Sequence, residues 1–340
     1  MTKTVSVIIP CRNEENFIGK CIDSFMRQSY PRELITVVIA DGMSTDNTRS
    51  VINEYKSKYG NIILVDNLEL TAPKGMNLGI RATDSDIVII FGAHSFAHED
   101  FILENVKGLE SEEIGCCGGP IETINDSDKG AAIGLAMSCP FGVGNALFRY
   151  ADKETFVDTV AFGAYRREVL EEIDLFDEEL TRNQDDELNL RVLNANKKIL
   201  LTPKVKSTYY GRASFGKLWK QYFQYGFWKV RVIQKHKKPA AIRHLIPLLF
   251  VLYLMIGGGL SIFFKPIRII FLFVLGLYIL LDIYYAVKLS LGKKAKYVPY
   301  IIITFLLLHV SYGLGFIIGI WNFYIVKSKN IIKNNTDMSR

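Results

Sequence analysis

Val5-Ser6-Val7-Ile8-Ile9-Pro10-Cys11-Arg12-Asn13-Glu14-Glu15 begins as a continuous apolar run, stops at a proline and turns polar at once. Polar residues do not alternate through it, so both faces of this strand are expected to be buried, as in a parallel sheet covered by helices. Residues 16–28 then place Phe17, Ile18, Cys21, Ile22 and Phe25 on one helical face. Residues 34–40 read as a second buried strand, and Asp41-Gly42-Met43-Ser44-Thr45-Asp46 leaves it, with Ser44 or Asp46 as the expected cap of a helix over 48–59. A strand over 61–65, a helix over 74–83 and a strand over 87–91 follow. This alternation predicts an α/β fold with a mostly parallel sheet. Ligands in such sheets bind beyond the carboxyl ends of the strands. Three loops fall there: Pro10 to Glu14, the loop opening at Asp41, and Gly92-Ala93-His94.

The 340 residues carry 41 basic and 35 acidic side chains, and the net +6 hides a sharp break. Residues 1–187 hold 17 Lys/Arg against 33 Asp/Glu, while residues 188–340 hold 24 Lys/Arg and only two acids, Asp282 and Asp337. Such a break marks two physical environments, and the basic half is expected to face something anionic. Hydropathy selects a phospholipid surface: residues 245–264, 269–281 and 297–326 are long apolar runs, and a bilayer core takes ~20 apolar residues per helix. The 49% hydrophobic content excludes a disordered chain. Five cysteines without a Cys-x-x-Cys spacing exclude a disulfide scaffold. Arg12 to Glu15 interrupts any signal-peptide core, so the acidic half is expected in the cytoplasm with reduced thiols.

Between the halves, Phe215, Trp219 and Tyr222 recur at helical spacing among Lys217, Lys220, Lys229 and Arg231. That composition suits a helix lying on anionic headgroups. It also suits single-stranded nucleic acid, but the apolar runs that follow favour lipid, and no nucleic-acid partner is expected. Lys265-Pro266 turns between the first two apolar runs, and four lysines over 288–296 place the next loop beside the acidic half by the positive-inside rule. A third full span then sends Lys327, Lys329, Lys333 and Arg340 across, against the same rule. The third run is either a span packed through Gly315-x-x-x-Gly319 or a bent re-entrant element; three spans are expected.

With the opening segment, five later ones carry a resemblance: Val38-Ile-Ala-Asp-Gly-Met-Ser-Thr-Asp-Asn-Thr48, Lys74-Gly-Met-Asn-Leu-Gly79, Phe162-Gly-Ala-Tyr-Arg166, Asn183-Gln-Asp-Asp-Glu-Leu188 and Gln224-Tyr-Gly-Phe-Trp228. In this order they resemble family 2 glycosyltransferases of the GT-A fold, in particular the succinoglycan-type exopolysaccharide glucosyltransferases. The resemblance implies a Rossmann-like GT-A catalytic domain over 1–213, an amphipathic interfacial segment over 214–243, a membrane domain over 244–326 and a polar tail over 327–340. It implies an inverting enzyme at the cell membrane that moves a sugar from a nucleotide-diphosphate donor, UDP-hexose by family habit, to a polyprenyl-diphosphate-linked saccharide. Other polysaccharide-assembly proteins are implied partners. Alternatives are a polyprenyl-phosphate sugar synthase and a donor-binding but inactive scaffold subunit.

The resemblance assigns Pro10, Glu14, Asp41, Lys74, Gly75, Asn77 and Ala93 to the nucleotide sugar, and Gly163, Gln224 and Trp228 to the acceptor side. The strand-end setting of Asp41 favours ligand binding over the alternative, stabilisation of its own Asp-Gly turn, and Lys74 to Asn77 is read as ligand-binding ahead of its alternative, an ordinary helix start. An inverting transfer needs one carboxylate to take the acceptor proton. Asp185, Asp186 and Glu187 open a helix, where acids also suit the macrodipole. The family pattern Glu-Asp puts Gln184 at the glutamate and Asp185 at the base, with Asp186 next if the register slips. Phe227 stands where the family has arginine, and Trp228 is either an interface anchor or a sugar platform. Gly92 stands where the family has the acidic ligand of a divalent cation, Mn²⁺ or Mg²⁺; either His94 remains as the expected metal ligand, or the protein holds no metal and cationic side chains stabilise the leaving diphosphate.

Overall fold

The computed structural model describes residues 3–211, 213–239 and 241–336. They form two compact units: one runs to Glu122 and resumes over Leu147–Tyr210, the other comprises Thr123–Ala146 and the chain from Gly211 onward. The first unit contains β1 (Val5–Cys11), α1 (Ile18–Met26), β2 (Ile35–Asp41), α2 (Thr48–Lys58), β3 (Ile62–Asp66), α3 (Ala72–Arg81), β4 (Ile87–Ile90), β5 (Ser95–Ala97), α4 (Phe101–Gly108) and β6 (Ile114–Gly119). After β7 (Ile121–Ile124) the chain enters the second unit as α5 (Asp128–Met137) and α6 (Pro140–Val143). It returns as β8 (Thr155–Phe156), β9 (Ala161–Arg166), α7 (Arg167–Glu172), α8 (Gln184–Asn194), β10 (Lys198–Leu201) and β11 (Ser207–Tyr210).

The seven elements read between residues 5 and 91 are all present, with ends within two residues of expectation. The main sheet has the order β3-β2-β1-β4-β9-β6-β10-β8. β1 is parallel to β2 and β4, and β6 to β10, while β9 runs antiparallel between β4 and β6. Alternate residues of the apolar strands feed two cores. Val5, Val7 and Ile9 pack with Ile18, Ile22 and Phe25 of α1, whereas Ile8 and Val38 pack with Met76 and Ile80 of α3. Each such burial stabilises by about 1.5–3 kcal/mol. α3 sits so near β1 that a Cβ on Gly79 would lie 2.4 Å from Ile8 Cγ2.

Two consequences position the site. The order places β1 between β2 and β4, so the chain reverses its direction of winding between β1 and β4, and the crevice opens there. α8 leads into β10, which belongs to the parallel set, so its N-terminus lies at the carboxyl rim of the sheet.

The second unit adds α9 (Phe215–His236), α10 (Ile246–Leu252), α11 (Gly258–Phe263), α12 (Lys265–Ser290), α13 (Tyr297–Ile320) and α14 (Lys329–Asn334). With the π-helical turns that follow α10 and α13, three helices among the described residues are long and apolar enough to cross a membrane: Ile242–Phe263, Lys265–Ser290 and Tyr297–Val326. The expected boundary at 213 needs a correction. Residues 123–146 join the second unit, where Ala132, Ala136 and Cys139 pack with Ile301 and Phe305 of α13 and Ala286 of α12. The aromatic-basic helix α9, expected to rest on lipid, packs one face along α13. A Cβ on Gly315 would lie 2.0 Å from Phe223 O, and one on Gly319 2.7 Å from Phe227 O. The Gly315-x-x-x-Gly319 pair therefore serves a close helix contact, with α9 as its partner.

Asp128, in the first turn of α5, pairs with Lys294 at 2.7 Å and with Lys296. Those lysines hold its carboxyl at about 2, below the ordinary 3.8. A carboxylate lowered in the folded state contributes stability above its ordinary pKa and loses it as pH falls through the lowered one. Amide exchange over 293–297, corrected for intrinsic rates, is therefore expected to quicken as pH drops from about 4 towards about 2. Asp128→Asn should show the quickened exchange already at neutral pH; identical protection in variant and parent would remove the pair from the account.

Candidate active site

The loops after β1 and β2 are laced together. Ser44 Oγ accepts from Asn13 N (2.8 Å), Asn13 Oδ1 from Thr45 N (2.9 Å) and Thr48 Oγ1 from Glu14 N (2.7 Å). Asp46 accepts from Thr48 N at 3.0 Å, whereas Ser44, the other expected cap, bonds back to Asp41. The loop after β4 meets the loop after β1 at the crevice: Glu14 Oε1 lies 3.6 Å from His94 Nδ1, and both side chains are largely buried. Tyr209 of β11 sets its ring edge-on to His94, centroids 4.9 Å apart. Ala93, next to His94 in sequence, is buried, and Pro10, the penultimate residue of β1, is in register with Ala40.

Four of the ten non-glycine residues with left-handed backbone among the described residues lie on this rim. Asn13, Met43, Phe162 and Asn183 have φ of 54°, 53°, 51° and 59°. Conformations of this kind cost about 1–3 kcal/mol each and cluster at functional sites. Phe162 is the bulky case. It is the second residue of β9, beside the end of β4, where its ring packs on Phe91 at 4.5 Å. It also lies 3.1 Å from where a Cβ on Gly92 would be. Gly163 follows it, too near the Tyr165 ring (2.9 Å) to carry a side chain without movement.

Asp41 sits at the strand end as expected, but its carboxylate is fully buried and already engaged. Ser44 N donates to it at 3.1 Å and Arg49 Nη1 at 2.7 Å; Arg49 also reaches Asp66 at 2.8 Å. Its hydrogen bonds to Asp66 and then Asp41 raise the Arg49 pKa further, so this cation ties the ends of β2 and β3. The turn-stabilising role weighed for Asp41 is thus the one its contacts display. Cys11, at the same rim, is chemically quiet, because burial and then Asp41 push its thiol pKa well up.

The α3 residues divide. Lys74 Nζ pairs with Glu69 Oε2 at 2.8 Å and keeps partial exposure. Gly75 sits close to Asn67: a Cβ there would lie 2.9 Å from Asn67 Nδ2, so the Asn67 amide, which donates to Thr71 O, would have to shift. Asn77 is buried; its amide donates to Phe176 O and Glu178 Oε1 (2.9 Å each) and accepts from Phe176 N (3.0 Å). Asn77 therefore fastens the loop after α7 to α3.

The acidic helix start is sorted by its contacts. Glu187 turns inward, 2% exposed, into a two-pronged pair with Arg191 (2.8 and 2.7 Å). Asp185 is exposed and Asp186 half-buried, and Asp186 N donates to Asp185 Oδ1 at 2.9 Å. One turn below Asp185, Asn189 accepts from Tyr165 Oη (2.9 Å) and donates to Thr159 Oγ1 (2.8 Å), which fixes α8 against the start of β9. Burial, then Cys116 and Asp185, raise the Tyr165 pKa, so its hydroxyl remains a donor. Gln224 and Trp228 belong to the second unit and are buried there. Trp228 packs on Phe227 and Phe323 and donates its indole N–H to Asn335 O at 2.9 Å. It is an internal anchor in place of an exposed sugar platform.

A protein-caged metal does not fit this site: among the described residues no three His, Cys, Asp or Glu side chains converge. The Glu14–His94 pair offers one carboxylate and one imidazole, a set that fits a cation shared with a ligand's phosphate oxygens.

A mostly parallel sheet with its crevice between β1 and β4, and a carboxylate helix start on the same rim, defines a GT-A type glycosyltransferase fold. The chain belongs to glycosyl transferase family 2, whose family model matches residues 6–174. It is 33% identical over 267 residues to the dolichyl N-acetyl-alpha-D-glucosaminyl phosphate 3-beta-D-2,3-diacetamido-2,3-dideoxy-beta-D-glucuronosyltransferase of Methanococcus voltae, covering 76% of this chain and 83% of that one. It is 26% identical over 319 residues to the succinoglycan biosynthesis protein ExoA of Rhizobium meliloti, covering 93% and 95%. Among solved structures, the mannosyltransferase PcManGT from Pyrobaculum calidifontis, in complex with GDP-Man and Mn²⁺, shares the fold. The TM-score is 0.60 at 18% identity, with 95% of this chain and 88% of that one covered.

Proposed function

We propose that the chain is a membrane-anchored inverting glycosyltransferase. It takes a sugar from a nucleotide-diphosphate donor, UDP-hexose in the first instance, and adds it to a polyprenyl-linked saccharide at the cytoplasmic face. The observation that carries this reading is the division within the acidic cluster. Glu187 is spent on Arg191, while Asp185 stands exposed at the N-terminus of α8, on the rim that also holds Glu14 and His94. Support for the lipid-linked acceptor comes from the two relatives, one named for a dolichyl-linked phosphate and one for succinoglycan biosynthesis.

In this reading Asp185 accepts the proton of the acceptor hydroxyl as that oxygen attacks the anomeric carbon. The helix macrodipole favours its ionised form. Glu14 and His94 would hold a divalent cation, Mn²⁺ or Mg²⁺, which when bound neutralises charge on the departing diphosphate. Lys74, Asn77 and Asp41 keep the surrounding loops in place, and Gly163 leaves room beside Tyr165. Anomeric configuration tests the inverting step: NMR of the product should show the linkage opposite to the donor's. Retention would contradict a single-base mechanism.

The missing acid at Gly92 yields a further expectation. With imidazole in place of a second carboxylate, donor binding should need millimolar rather than micromolar Mn²⁺, read by calorimetry with UDP. Gly92→Asp should lower that requirement, provided Phe162 yields the few tenths of an ångström its ring denies a Cβ. UDP affinity unchanged by EDTA would sink the cation site, and His94→Ala with unaltered Mn²⁺ dependence would remove His94 from it.

A further inference from the structure

We propose that Tyr297–Val326 does not cross the membrane but lies along its catalytic face beside α9, so that the chain crosses twice, as a hairpin of Ile242–Phe263 and Lys265–Ser290. This rests on the membrane anchoring proposed above.

Direction is the first argument. α9 and α13 run side by side and parallel. Phe215 meets Tyr300 with centroids 6.3 Å apart, Phe223 O faces Gly315, Phe227 packs on Phe323 at 4.9 Å, and Gln234 Nε2 donates to Phe323 O at 3.1 Å. If α13 traversed the hydrocarbon, α9 would traverse it alongside. α9 carries Lys217, Lys220, Lys229, Arg231 and Lys235 along its length, and charges at mid-bilayer are strongly disfavoured.

Parity is the second. Suppose α9 and α13 both crossed. The two apolar helices between them would return the chain to the side where α9 ended, and α13 would run back antiparallel to α9. They are parallel. If α9 stays on the catalytic face, the hairpin returns the chain to that face, and α13 starts beside the start of α9, as observed.

The third argument is the Asp128 clamp. α5 has 10 residues, too few to cross, and it is joined through the chain at both ends to the catalytic unit. Its pairs with Lys294 and Lys296 hold the α12–α13 loop on that side. Burial agrees: 44% of the most apolar stretch of Tyr297–Val326 is covered by protein, against 11% for each hairpin helix. α13 meets the hairpin at its catalytic end, at Pro247, Val251 and Ala286, and reaches as far as Tyr278, midway along Lys265–Ser290. Ile256, Ile262, Phe263, Ile270 and Phe273, at the far end, are exposed. The surface left on α13, with Ile303, Leu306, Ile318 and Trp321 exposed, fits the border of hydrocarbon and headgroups, and its flanking lysines fit anionic lipid. The arrangement also places Lys288 to Lys296 and Lys327 to Lys333 on one side, as the positive-inside rule asks.

Single cysteines in the full chain test this, since all five native cysteines are buried. Lys58→Cys marks the catalytic unit, Lys265→Cys the hairpin tip, Lys293→Cys the loop, and Lys329→Cys and Lys333→Cys the segment after α13. Sealed inverted vesicles and intact cells are treated with a membrane-impermeant maleimide. All but Lys265→Cys are expected to label from the face that labels Lys58→Cys, and Lys265→Cys only from the other. If Lys329→Cys and Lys333→Cys label with Lys265→Cys, α13 crosses and the proposal is overturned while the anchoring stands. If Lys265→Cys labels with Lys58→Cys, the hairpin does not cross and the anchoring reading fails with it.

Discussion

Asp185→Asn is expected to lower turnover by ~10²–10⁴-fold, the usual contribution of a positioned base, while leaving donor affinity close to that of the parent. The substitution keeps the size and the hydrogen bond available to Asp186 N but removes the proton acceptor. Asp186→Asn should cost less, because Asp186 is the more covered of the two. The two variants are compared by single-turnover transfer and by calorimetric titration with UDP. If Asp186→Asn alone abolishes transfer, the base has been placed one residue early. If both variants transfer normally, the acidic run is a helix start and nothing more.

The second large effect is structural. Arg191→Leu leaves the Glu187 carboxylate buried without the guanidinium that grips it at two points. Removing one partner of a buried pair typically costs about 3–5 kcal/mol, because the remaining charge stays desolvated. Arg191 also donates to Ile173 O, so the loop ahead of α8 should loosen with it. Denaturant unfolding in detergent should show the loss. Glu187→Met combined with Arg191→Leu should recover most of it, since a buried pair exchanged for apolar groups is often near neutral. A single variant as stable as the parent would mean that Glu187 takes up a proton or finds water, and that the pair does not brace the helix under Asp185.

The fold was legible where the physics is local. Strands buried on both faces leave unbroken apolar runs, and Ile18, Cys21, Ile22 and Phe25 leave a helical stripe, so β1 to β4 and their helices could be placed within two residues. The antiparallel insertion of β9 was not legible, because nothing in Ala161–Arg166 distinguishes it from a parallel strand. The small residues of α5 hid its partner: Ala132 and Ala136 allow close approach but do not say to what. The glycines of α13 were legible as a contact surface, but their partner was not, since a cationic, aromatic helix such as α9 has the composition of one that lies on lipid.

The site was legible as a rim and not as contacts. Glu187 and Arg191 stand four apart, a spacing that signals a helical ion pair, and the structure shows that pair. Asp41 gave no such signal, for its partner Arg49 comes from the next helix. Asn77 is engaged by Phe176 and Glu178, about a hundred residues away. Tyr209 meets His94 only because β5 and β11 pair. Long-range partners of this kind carry no periodicity, and only the folded chain reveals them.

The most direct test is transfer itself. Membranes containing the chain are incubated with a panel of radiolabelled nucleotide sugars and Mn²⁺, and the lipid is extracted into organic solvent. The account predicts that one donor, a UDP-hexose first among them, places label in a mild-acid-labile lipid whose released glycan is longer than one sugar, and that Asp185→Asn membranes leave that fraction unlabelled. A released monosaccharide would instead make the lipid phosphate itself the acceptor. No lipid-borne label from any donor, or equal label with Asp185→Asn, would contradict the assignment of this site to glycosyl transfer.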